Sequence, residues 1–207
     1  MLKILGRTTS INVRKVLWLC AELDLEFEQE NWGTGFQSTQ APEFLALNPN
    51  ALVPVLRDGD FVLWESNAIC RYLAGRERRH DLLPDDPRSR GYVDQWMDWQ
   101  ATTLNGSWYY AFLALVRRNP DFTDPAAIAA SAANWNRQMT ILDAVLERTG
   151  AYVAGPTFSL ADIVIGLSTH RWRATPIAHA NLPAVTAYYQ RLLGREAYRR
   201  LATPELA

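Results

Sequence analysis

Along the first 82 residues the apolar positions switch between two spacings, short runs that suit strands and longer stretches that repeat at helical period. A short strand is expected at Lys3 to Leu5, a helix from about Asn12 to Leu23, and a second strand around Glu26 to Glu30. The irregular segment NWGTGFQSTQAP follows, then a short helix near Glu43 to Leu47, a strand from Val53 and another at Phe61 to Leu63. Asp58-Gly59 is a strong hairpin signal, so those last two strands should be antiparallel neighbours. A further helix should begin near Ser66 and run through NAICRYLAGRE. The order is βαβ, a connecting helix, then ββα.

Beyond LLPDDP the pattern becomes helical throughout. Asp86 before Pro87 is an N-cap followed by a proline at the first helical position. The helix it starts carries Val93, Trp96, Met97, Ala101, Leu104 and Trp108 at helical spacing, and so reads as one long element. Another helix is expected at about Ala126 to Arg148, punctuated by Gly150 and Pro156. FSLADIVIG carries a capping box, in which Ser159 and Asp162 satisfy each other's backbone and Phe158 staples onto Ile163; the box accounts for Asp162. Pro183 starts a helix through Leu193. The pattern predicts two domains, a mixed α/β unit at 1–82 and an all-helical one at 83–207.

Composition adds bounds. The chain has 207 residues, 48% of them hydrophobic and 21% charged, with a formal charge of −1, so nothing electrostatic points to nucleic acid or to an anionic membrane. The N-terminal stretch lacks a signal-peptide core and charges interrupt every apolar run, which predicts a cytoplasmic protein. Cys20 and Cys70 stand apart inside helical patterns and read as buried small hydrophobes rather than a redox pair. His80, His170 and His179 show no ligand spacing, so no metal is expected.

Three places carry candidate chemistry. Pro54 interrupts a run that reads as a central strand; if its peptide bond is cis, the chain turns and Val53 can offer its N–H and C=O to an extended peptide outside the sheet. Glu65 and Ser66 stand where a helix begins. A carboxylate suits an ammonium group, and a hydroxyl with free helical N–H groups suits an anion, so together they match an α-amino acid head; a plain N-cap is the other reading of Ser66. Ser10 and Asn12 stand at the turn into the first helix, either as caps or as donors to a bound thiolate. Lowering a thiol from ~8.5 by about two units takes roughly 2.7 kcal/mol, within reach of one charge-assisted hydrogen bond and a helix end.

The βαβ–ββα order, NALVPVLRDGDFVLWESNAICRYL and FSLADIVIG together resemble the cytosolic glutathione transferases, across nearly the whole chain. The resemblance implies a thioredoxin-like N-terminal domain with a cis-proline, followed by an all-helical C-terminal domain. By similarity Val53 and Pro54 meet the cysteinyl backbone of glutathione, and Glu65 with Ser66 holds its γ-glutamyl group. Ser10 followed by Arg14 is similar to serine-type delta and theta classes, while Ser10 with Asn12 fits a nu-type pattern as well; Thr8 and Thr9 share the same turn. Tyrosine-type classes do not fit, since no Tyr precedes Tyr72.

The sequence departs from those relatives where a histidine would precede PEF, at about Thr39, and where Ala51 or Leu52 replaces a polar residue. Gln37, Gln40 or Trp32 are the alternatives for the glycyl carboxylate. Arg14 reads as a helix-face ion-pair partner and RERRH, Arg76 to His80, as a solvated helix end. The second substrate is expected between the domains; Trp108, Tyr109 and Phe112 either line that pocket or pack the helical core. The expected activity is conjugation of glutathione, as co-substrate, to a small hydrophobic electrophile by a homodimer with no nucleic-acid or membrane partner. Glutathione-dependent disulfide or peroxide reduction, or a non-catalytic protein-interaction role, are the alternatives.

Overall fold

Strand β3 (Val55–Asp58) is internal to a four-stranded sheet of order β2-β1-β3-β4, whose other strands are β1 (Leu2–Leu5), β2 (Phe27–Glu30) and β4 (Phe61–Trp64). A computed structural model describes residues 1–202, and the chain divides into two compact units, Met1 to Leu83 and Pro84 onward. β1 runs parallel to β2 and antiparallel to β3, with Leu5 opposite Val55; β3 and β4 are antiparallel, with Val55 opposite Trp64. The parallel step needs a crossover, supplied by helix α1 (Ile11–Glu22). Ile4, Val55 and Leu56 on the two inner strands are fully buried, as strands covered on both faces must be. The hairpin is as expected but its turn is displaced by one residue: Asp58 pairs with Phe61, and Gly59, with φ 64°, takes the first turn position.

Helix α1 packs against α3 (Ser66–Arg76), and both bury apolar stripes, Val13, Val16 and Leu17 on one and Ile69, Cys70 and Leu73 on the other. Arg14, expected as a helix-face ion-pair partner, is buried in this layer. Lys15 is buried too, its Nζ donating to Asn67 Oδ1 at 3.2 Å. The short helix α2 (Pro42–Leu45) brings Phe44 onto Trp32, ring centroids 5.0 Å apart, in a cluster with Leu5 and Val55. Cys20 and Cys70 are free and buried, and burial pushes both thiols up to about 12, too high to act as nucleophiles.

The RERRH stretch is more than a solvated helix end. Arg76 Nη1 pairs with Asp58 Oδ2 at 2.7 Å and Tyr72 Oη donates to the same oxygen at 2.8 Å, tying α3 to the hairpin. Those two hydrogen bonds, Arg76 first, hold the Asp58 carboxyl below its usual range. Arg79 Nη1 donates to Glu22 O at 2.9 Å and so ties the end of α3 to that of α1.

The second unit contains α4 (Pro87–Trp99), α5 (Asn105–Leu115), α6 (Pro125–Thr149), α7 (Leu160–Ala174), α8 (Pro183–Leu193) and α9 (Glu196–Leu201). Asp86 caps α4 through Ser89 N–H at 2.9 Å, with Pro87 at the first position. The single long helix read from the spacing is instead interrupted by a π-helical segment, Gln100–Leu104. Two side chains suit the break. Thr102 Oγ1 bonds back to Asp98 O at 2.9 Å, and the buried Gln100 reaches Ser168 Oγ at 3.0 Å and Asn105 Oδ1 at 2.9 Å.

Helix α7 is buried from Leu160 to Trp172 and forms the centre of this unit. Its capping box forms, Ser159 N–H meeting Asp162 Oδ2 at 2.9 Å. The box does not account for Asp162 fully, however, because Val153 N–H and Tyr188 Oη both donate to Asp162 Oδ1 at 3.0 Å. One carboxylate thus ties together α7, α8 and the segment before α7. Among the described residues no helix is long and apolar enough to cross a membrane, and no group of His, Cys, Asp and Glu is arranged to hold a metal.

Candidate functional site

The site is built where the chain enters β3 and leaves β4. Asn48, buried, organises the first part: its Nδ2 donates to Leu52 O at 2.8 Å, and its Oδ1 accepts from Asn50 N–H at 3.0 Å and from Asn50 Nδ2 at 3.0 Å. That closed turn carries Ala51 in the left-handed region, φ 55°. The Val53–Pro54 peptide that follows is cis. Val53 precedes the first paired residue of β3, so its N–H and C=O lie outside the ladder, while its side chain packs on the Leu5, Trp32, Phe44, Val55 cluster.

Gly6, at the end of β1, permits this close approach. Its φ is 147°, and a Cβ there would stand 2.5 Å from Val13 Cγ2 and 3.0 Å from Val53 Cβ.

Across from Val53, Glu65 leaves β4 with φ 73° as the N-cap residue of α3, and its side chain makes no capping bond. Ser66 opens the helix, buried, with no hydrogen-bond partner for its hydroxyl among the described residues. The first-turn N–H groups of α3 have no intrahelical acceptor, since the first helical bond runs from Ile69 N–H to Glu65 O at 2.9 Å. A cleft of about 50 Å³ is lined by Asn12, Asn48, Asn50, Leu52, Val53, Pro54, Glu65 and Ser66. Its donors are carboxamides, a hydroxyl and a helix N-terminus; its single charged group is the Glu65 carboxylate.

Of the residues selected from sequence, the fold therefore brings Asn12, Val53, Pro54, Glu65 and Ser66 together. Ser10 is not part of that lining. It is the N-cap of α1 with extended backbone, φ −86° and ψ 124°, and its hydroxyl makes no capping bond. The hydroxyl is thus uncommitted, two residues before Asn12. Asn48 and Asn50 were missed by sequence reasoning, and Leu52 was noted only as a replaced polar position. The signal was present in NPN, where an Asn accepting from the N–H two residues on forms an Asx-turn.

Trp32, considered for the glycyl end, belongs to the core instead, and its Nε1 donates to Glu30 Oε2 at 3.3 Å. Gln37 and Gln40 are exposed in the loop before α2. In the helical unit Trp108 and Phe112 are buried; Trp108 packs on Trp135, centroids 6.0 Å apart, and the Arg171 guanidinium lies 4.7 Å from the Trp108 ring centre and 4.1 Å from that of Phe112. Tyr109 is exposed, its ring edge against Phe122 at 5.7 Å.

Chemically, the cleft can seat an α-amino acid head, ammonium toward Glu65 and carboxylate toward Ser66 and the start of α3, while Val53 offers a main-chain donor and acceptor to the next peptide unit. Residues 1–75 match the family described as Glutathione S-transferase, N-terminal domain, and residues 110–196 match Glutathione S-transferase, C-terminal domain. The chain is 37% identical over 203 residues to Glutathione S-transferase GstB of Escherichia coli strain K12, covering 97% of each. A theta class glutathione S-transferase from Xanthomonas axonopodis pv. citri, solved with glutathione bound, is similar at 38% identity and a TM-score of 0.91, covering 98% of this chain and 97% of that one. A delta-class enzyme from Nilaparvata lugens is similar at 25% identity and a TM-score of 0.87, covering 100% and 97%.

Proposed function

The chain belongs to the glutathione S-transferase family, and on that premise we propose that the cleft between Asn12 and Ser66 is where it holds glutathione. The γ-glutamyl head sits with its ammonium on Glu65 and its carboxylate on the Ser66 hydroxyl and the α3 N–H groups. The cysteinyl unit pairs main chain to main chain with Val53. One observation carries this reading: the uncommitted Glu65 and Ser66 side chains share a cleft with a backbone segment that is itself free of the sheet.

Placed this way, the cysteinyl sulfur points toward the turn into α1. The Ser10 hydroxyl donates to the thiolate, with the Asn12 carboxamide and the helix N-terminus adding partial positive charge. Serine takes no proton; it stabilises the ionised form, so the thiol loses its proton to solvent at neutral pH. The thiolate attacks an electrophilic carbon, a C–S bond forms, and the leaving group departs with the bonding electrons. Holding both reactants supplies much of the acceleration. The electrophile is a small molecule with a hydrophobic body.

A cytoplasmic location suits two buried free thiols. A homodimer, which the family resemblance implies, also suits a surface that leaves a groove of about 530 Å³ open between Tyr92, Trp96, Trp99, Ile141 and Val145, since water-exposed apolar clefts of this size are commonly covered. The test of the whole reading is the initial rate of glutathione addition to a neutral aryl halide by purified protein. Turnover that saturates in glutathione and collapses in Glu65→Gln supports it; an unchanged KM for glutathione in that variant removes the cleft from the mechanism.

A further inference from the structure

Arg7 is a cation that nothing in the glutathione cleft uses. It stands in the turn from β1 to α1, and its carbonyl accepts from Ser10 N–H at 3.1 Å, so it closes the turn that presents the Ser10 hydroxyl. Its side chain lies over Gly33, where an added Cβ would meet Arg7 Cδ and Nε at 3.7 Å, and Nη1 donates to Thr34 O at 2.8 Å. One N–H of the guanidinium fork is therefore engaged with a neutral carbonyl, and among the described residues Arg7 has no carboxylate partner. By contrast, Arg76 pairs with Asp58 and Arg79 with Asp81. Phe36, 55% exposed, stands in the same turn as Thr34, its N–H bonded to Gly33 O at 2.9 Å.

We propose that Arg7 is a specificity-determining residue that holds the carboxylate of an anionic electrophile beside the thiolate. The inference rests on the thiolate being formed at Ser10. Arg7 is absent from the lining of the cleft assigned to the γ-glutamyl head, and its carbonyl closes the turn that carries Ser10, which puts its free donors at the service of the reacting end. A guanidinium with uncommitted parallel N–H groups donates to both oxygens of a carboxylate in fork geometry, and the backbone tether to Thr34 lowers the entropy lost when it does. The substrate class this defines is a small aryl or alkyl halide bearing a carboxylate. In its reaction the thiolate forms the C–S bond, the C–halogen bond breaks, and halide leaves with the electron pair.

A matched pair tests it: 4-chloro-3-nitrobenzoate and its neutral methyl ester, each assayed with glutathione and each rate divided by the uncatalysed one. The wild-type protein should prefer the acid, and salt should erode that preference by screening. Arg7→Gln should lower the acid-over-ester ratio of kcat/KM about tenfold, the scale of one charge-assisted hydrogen bond, acting through KM for the acid. Arg7→Lys should keep part of the preference, because it keeps the charge. Equal losses for acid and ester, as expected if Arg7 acted on the thiolate, overturn the proposal. So does a rise in KM for glutathione as large as the lost preference, which would assign Arg7 to the tripeptide. Turnover of the ester with no preference for the acid defeats this inference alone; absence of turnover with both defeats the transferase site as well.

Discussion

Asn48 holds Leu52 in place: the buried carboxamide donates to the Leu52 carbonyl at 2.8 Å, and that bond fixes the backbone just before Val53. The same side chain accepts twice from Asn50, so removing it frees three contacts at once.

Asn48→Ala is therefore expected to destabilise the protein by about 1–3 kcal/mol, the cost of leaving buried polar groups without partners. Its KM for glutathione should rise several-fold, with kcat less affected. Denaturant unfolding and steady-state kinetics check the two effects separately, and an unaltered KM would mean that the turn does not position Val53.

Gly6→Ala should be harmful out of proportion to one methyl group. The new Cβ would press on Val13 at 2.5 Å and on Val53 at 3.0 Å, in a backbone conformation that side chains rarely adopt. Expected is a loss of about 1–3 kcal/mol in unfolding free energy together with weakened glutathione binding, read by titration calorimetry.

Ser10→Ala separates activation from binding. Turnover should fall at least about tenfold while affinity for glutathione stays near wild type, and the rising limb of the pH–rate profile should move to higher pH, since a donor to the thiolate acts on its ionisation. Full turnover in that variant with loss in Asn12→Ala would transfer the role to Asn12, which lines the cleft where Ser10 does not.

Asp162 predicts a pH dependence. Burial raises its carboxyl to about 6, well above the ordinary range of an aspartate, although four hydrogen bonds pull the other way. A folded-state pKa above the unfolded one means that the native protein holds the proton more tightly between those values. The stabilisation from this group is complete below pH ~4 and is lost as pH rises through about 6, by roughly 2–3 kcal/mol. The gap in unfolding free energy between wild type and Asp162→Asn should accordingly shrink from pH 4 to pH 7. Urea titrations at the two pH values decide it, and a gap that widens would show that the hydrogen bonds outweigh burial.

Local conformation was legible in the sequence because its causes are local. Period-two and period-3.6 spacing, Asp86 before Pro87, and the Ser159–Asp162 box each act within a few residues, and each appears in the fold. Glu65, Ser66, Val53 and Pro54 could also be selected, since a proline in an inner strand and an acid before a helical serine are anomalies visible in one dimension.

The rest depended on which faces meet. Spacing does not say that Gln100 finds Ser168 where the helix becomes π-helical, nor that Tyr188 and Val153 converge on the carboxylate of Asp162. It placed Trp108 and Phe112 on an apolar stripe, but only packing put the Arg171 guanidinium over both rings. Asn12 shares a cleft with Asn48, Asn50 and Ser66 because α1 and α3 pack together and β3 threads between β1 and β4. Helical and strand periods encode the side of each element that seeks burial. The partner of that side, and every hydrogen bond made across it, is chosen only when the elements compete for one another in three dimensions.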